Sequence, residues 1–108
     1  MRDFYEREVG MSFRHIVLLH WKEGTDAAAH DAVVEGLCAL PAQIPELRHY
    51  KVGGDAGLNP ANYDLAVVAD FDDEAGYVVY RDHPAHRKVI DERITPILAE
   101  RAAVQHET

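Results

Sequence analysis

From Ser12 to Lys22 the chain reads SFRHIVLLHWK, a β-branched and aromatic run that predicts a strand. Phe13, His15, Val17, Leu19 and Trp21 share one face, and Arg14, Ile16, Leu18, His20 and Lys22 the other. Its centre is apolar on both faces, so both need cover. Glu23-Gly24-Thr25 predicts a turn that offers Thr25 as a helix N-cap. From Asp26 to about Ile44, the residues Val33, Leu37, Leu40 and Ile44 recur at helical spacing and predict an amphipathic helix. Pro41 disturbs its last turn and Pro45 ends it. Leu47 to Gly53 predicts a second, more polar strand, and Gly53 to Pro60 a loop. Tyr63 to Phe71 (YDLAVVADF) predicts a third strand, again apolar on both faces at its centre. Asp72 or Asp73 can cap a short helix from Glu74 to Tyr80, and Asp82-His83-Pro84 reads as a stop and restart. The helix from Ala85 carries Val89, Ile90 and Ile94, breaks near Thr95 at Pro96, and leaves Arg101 to Glu107 as a last strand.

The order is β-α-β-β-α-β, which predicts an α+β, ferredoxin-like protomer: one antiparallel four-stranded sheet with its helices on one face. The first and third strands then expose an apolar patch on the helix-free face, either Ile16, Leu18, Ala66 and Val68 or their odd-numbered counterparts. A patch of this kind marks an interface. Two sheets packed face to face in a symmetric homodimer cover it.

Composition narrows the class. At 108 residues and 47% hydrophobic content the chain fits one domain with one core. Residues 1–10 (MRDFYEREVG) read as a flexible extension, and residues 11–108 as the domain. A net charge of −8 argues against nucleic acid and anionic membranes, which need clustered Lys and Arg. No apolar run reaches the roughly 20 residues of a membrane span, and no signal-peptide core is visible; a cytoplasmic domain is expected. The single cysteine, Cys38, excludes an internal disulfide or a CxxC site and reads as a small hydrophobe beside the helix stripe. The loop Gly53-Gly54-Asp55-Ala56-Gly57 lacks the ending of a phosphate cradle. His20, His30, His49 and His106 show no spacing for a metal site, and three adjacent residues around a proline (Asp82, His83, His86) do not aim at one ion. Neither metal nor cofactor is expected.

The strand RHIVLLHWKEG, the helix exit LPAQIPEL, the strand YDLAVVADF and the stretch Tyr80-Arg81-Asp82-His83-Pro84-Ala85-His86 together resemble the stress-responsive A/B barrel domain family. The resemblance runs from Ser12 to Glu107 and implies a dimeric α+β barrel of ferredoxin-like protomers. One branch, the plant olivetolic acid cyclase type, closes a linear polyketide by an intramolecular aldol reaction. By resemblance to that branch, Tyr80 and His86 act together in a pocket between helices and sheet, and His15 matches its first-strand histidine. Its third-strand polar histidine corresponds to Leu65, an apolar substitution.

The resemblance implies a pocket near Tyr80, His86 and His15, with His83 and Leu65 as further substrate contacts. An imidazole takes and gives protons near neutral pH, and a phenol can donate to a developing enolate oxygen. The expected function is that of a small-molecule-binding A/B barrel domain, its ligand small and apolar or polyketide-like. One alternative is a cofactor-independent polyketide cyclase-like enzyme with His86 as general base and Tyr80 orienting. Another is a purely structural dimeric stress protein in which His83 caps the helix at Pro84 and the other two side chains brace the loop.

Overall fold

A computed structural model describes residues 12–108. The elements are β1 (Phe13–Trp21), α1 (Ala27–Cys38), β2 (His49–Gly54), β3 (Leu65–Phe71), α2 (Glu74–Asp82), α3 (Pro84–Val89) and β4 (Leu98–Glu107). The four strands form one antiparallel sheet in the order β2-β3-β1-β4. This is the predicted α+β, ferredoxin-like arrangement. The predicted extension over residues 1–10 lies outside the described residues.

The two faces of the sheet differ as the strand parities demand. Odd-numbered residues of β1 and β3 point at the helices, and Val17, Leu19, Trp21, Leu65, Val67, Ala69 and Phe71 are all buried. They pack against Val33, Leu37, Leu40 and Ile44, the predicted stripe of the first helical segment. Even-numbered residues form the helix-free face. Ile16 sits there between Val68 of β3 and Val104 of β4, and Leu18 between Ala66 and Ala102. Leu18 is 39% exposed and Val104 53% exposed in the single chain, so this apolar strip has no cover among the described residues.

Local chemistry moves several boundaries. Asp26, not Thr25, is the N-cap of α1: its carboxylate accepts from the Ala29 amide at 2.9 Å. The Thr25 hydroxyl instead donates to the Lys22 carbonyl and closes the turn, in which Gly24 takes φ 85°. The first helical segment ends at Cys38 rather than Ile44, because Pro41 lacks the N–H a continuing α-helix needs; a short 3-10 turn, Leu40–Ala42, carries the stripe on. Cys38 therefore lies at the helix end and is exposed. After α3 the chain runs through a π-helical turn, Ile90–Ile94, and a 3-10 turn, Thr95–Ile97, which holds Pro96. That compact exit lets β4 start at Leu98, three residues earlier than predicted. Gly36 permits the close approach of α1 to this region: a Cβ there would lie 3.1 Å from Arg93 Cδ.

Candidate functional site

The stretch YRDHPAH is a helix, a break and a second helix. Pro84 restricts the preceding residue to extended backbone, and His83 adopts φ −62°, ψ 133°. Its Nδ1 accepts from the Ala85 amide at 3.0 Å, so His83 caps α3. The reversal brings Tyr80, in the last turn of α2, against His86, in α3. Their ring centres lie 4.1 Å apart with planes inclined by 30°. Both side chains are buried.

His15 reaches the same place from β1. Its ring lies 6.1 Å from that of Tyr80 and 5.0 Å from that of Tyr77, centre to centre. Together His15, Tyr80 and His86 line a cavity of about 340 Å³ between helices and sheet, near the lower end of the range for small-molecule sites. Apolar residues such as Val17, Val67, Ile90 and Ile94 form most of the remaining wall.

Hydrogen bonds fix the protons. His86 Nδ1 lies 3.1 Å from the Arg81 carbonyl oxygen, which only accepts. The proton of the neutral ring is therefore on Nδ1, and Nε2 keeps its lone pair. His15 is the reverse case. Its Nδ1 accepts from the Gln105 side-chain amide at 2.8 Å, so its proton is on Nε2. Burial lowers the His15 pKa to about 4, with further lowering from the charges of Arg101 and His86. Burial also lowers that of His86, opposed by its hydrogen bond to Arg81. At neutral pH both rings are uncharged, one offering an acceptor and the other a donor.

The phenols form a second pair. The hydroxyls of Tyr80 and Tyr50 are 3.0 Å apart. Burial pushes Tyr80 up to about 12 and raises Tyr50 as well. Both stay protonated. One O–H satisfies the other hydroxyl, which leaves the pair one further proton to donate.

Of the five predicted site residues, the fold brings together three, Tyr80, His86 and His15. His83 is in the adjacent break but does not line the cavity, since its ring is committed to the cap. Leu65 lies outside as well: buried in the core opposite Leu19, it borders a separate surface depression beside Gly53 and Gly54. Sequence reasoning missed Tyr77, Tyr50, Gln105 and Arg101. Tyr77 was within reach as the residue one helical turn before Tyr80. Gln105 and Arg101 depend on the register of β4, which sets Gln105 opposite His15 and Arg101 opposite Leu19.

A family model described as the stress responsive A/B barrel domain matches residues 13–107. An uncharacterized protein of Streptomyces coelicolor is 34% identical over 76 residues, 68% of this chain and 78% of that protein. Among solved structures, a dimeric ferredoxin-like protein of unknown function from Thermobifida fusca is 43% identical with a TM-score of 0.84, covering 96% of this chain and all of that one. A hydroxynitrile lyase from Passiflora edulis has a TM-score of 0.80 at 19% identity, covering 93% of this chain and 95% of that one.

Proposed function

The chain belongs to the stress-responsive A/B barrel domain family, and from that membership we propose that it is a homodimer whose protomers each bind a small, mostly apolar molecule between helices and sheet. One observation carries the reading: two buried, neutral histidines of opposite tautomer face a cavity of about 340 Å³ whose walls are otherwise largely apolar and aromatic. A purely structural role would call for His86 and Tyr80 to be spent on bracing. Part of each is: His86 Nδ1 holds the Arg81 carbonyl, and the Tyr80 hydroxyl holds Tyr50. The space beside them, with His86 Nε2 uncommitted, favours binding. The homodimer rests on the uncovered strip through Ile16, Leu18 and Val104, and on the dimeric description of the T. fusca relative.

Titration of the labelled protein with 2-naphthol, an uncharged aromatic, tests the cavity by NMR. The ring resonances of His15, Tyr80 and His86 should shift, and Val67→Phe, which fills the cavity, should abolish the response. Shifts confined to the helix-free face, or none, contradict the reading.

The tautomer of His86 favours a second reading, a cofactor-independent proton-transfer enzyme. Its Nε2 can take a proton from carbon beside a carbonyl while the Arg81 carbonyl steadies the resulting imidazolium. Tyr80 orients the base by its ring contact at 4.1 Å. A hydroxynitrile lyase uses the same fold, a likeness of fold alone at 19% identity. Turnover of a linear poly-β-keto thioester that falls about 10²-fold or more in His86→Ala supports this reading; equal rates remove His86 from it.

A further inference from the structure

The cavity carries a charge pattern that its proton chemistry does not use. The chain has a net charge of −8, yet no Asp or Glu lines the cavity, while Arg81, Arg87 and Arg101 do. Two of these are already answered by neighbours. Arg81 is forked onto Asp82 at 2.9 and 3.0 Å, and Arg87 lies 3.7 Å from Asp91. Arg101 differs, for among the described residues no carboxylate comes within ion-pair distance of it. It stands on β4 opposite Leu19, on the helix-facing side of the sheet. Its charge acts on His15, on His86 and on Tyr80 together, opposing protonation of both imidazoles. Among the described residues the wall thus holds one guanidinium without a counter-charge, next to histidines that burial keeps neutral.

We propose that the cavity selects monocarboxylates with an apolar or aromatic body, and that Arg101 receives the carboxylate. This rests on the reading of the cavity as a binding site and names its ligand class. A guanidinium presents two parallel N–H donors that match the two oxygens of a carboxylate. A single uncommitted fork suits one such group better than a phosphate dianion, which calls for more positive charge. The body then lies against the rings of Tyr77 and Tyr80 and against Ile90 and Ile94. His15 Nε2–H and His86 Nε2 remain to bond a donor or acceptor farther along the same molecule.

Calorimetric titration of the full chain at pH 7.5 compares 4-phenylbutanoate with its uncharged isostere, 4-phenylbutanamide. Wild type should bind the acid at least about tenfold more tightly, the factor that corresponds to about 1.4 kcal/mol. Arg101→Gln should erase that preference. Arg101→Lys, which keeps the charge but loses the fork, should retain only part of it. Equal affinities in wild type, or a preference that survives Arg101→Gln, overturn the proposal while the cavity stands as a binding site. Failure of both compounds to bind overturns the cavity reading along with it.

Discussion

His15 shows how one residue's environment sets its chemistry. It lies on the buried face of β1, among positions otherwise filled by Phe13, Val17, Leu19 and Trp21, and its ring bonds to Gln105. With its pKa at about 4 it is neutral in the folded chain wherever the pH exceeds that value. In the unfolded chain the ring regains a pKa of about 6.5. Above that pH the proton makes no difference to folding. As the pH drops from about 6.5 towards 4, the unfolded state takes up a proton that the folded state refuses, and stability falls. The loss from His15 alone should be on the order of 2 kcal/mol between pH 7 and pH 5, and the lowered pKa of His86 acts in the same direction. Asp70 works in a lower window, since the Arg14 guanidinium holds its carboxyl below the usual range and its support is lost only as pH falls through that depressed value. Urea denaturation of wild type and His15→Leu across pH 5–7 checks the assignment. A flatter dependence in the variant is expected, and an unchanged slope contradicts it.

At the scale of elements, the break between α2 and α3 builds the site. His83 ends one helix and caps the next, so its contribution is to hold the angle at which Tyr80 and His86 meet. Removing a cap of this kind costs about 0.5–2 kcal/mol. His83→Ala should lower the urea midpoint accordingly and His83→Asn should restore it, with the 2-naphthol response retained in both. Loss of that response with undiminished stability would make His83 a ligand contact instead. The order of elements and the choice of buried face were legible because they follow from parity in β1 and β3 and from helical spacing at Val33, Leu37, Leu40 and Ile44. The start of β4 was not: LAERAAVQHE alternates weakly, and most of its residues are exposed in the single chain. Its register, which carries Gln105 to His15 and Arg101 to the cavity, is a property of the paired strands that no local pattern encodes. Leu65 lies away from this cavity for a related reason. Matching it to another protein's polar residue gave its strand, but its neighbours there are those of the core.

At the scale of the whole molecule the sheet has two working faces. One closes the cavity under the helices. The other presents Ile16, Leu18, Ala66, Val68 and Val104 with no layer above them among the described residues, bounded by the bidentate Arg14–Asp70 pair at 2.7 and 2.9 Å. Leaving such a strip in water forgoes roughly 25 cal/mol for each Å² of apolar surface, and a second copy recovers that energy with no new sequence. Sedimentation equilibrium of the wild-type chain at micromolar concentration tests this most directly. A mass of about 24 kDa, twice the 12.1 kDa of one chain, is the expected result. A mass of one chain, with the helix-free face in contact with solvent, would contradict it.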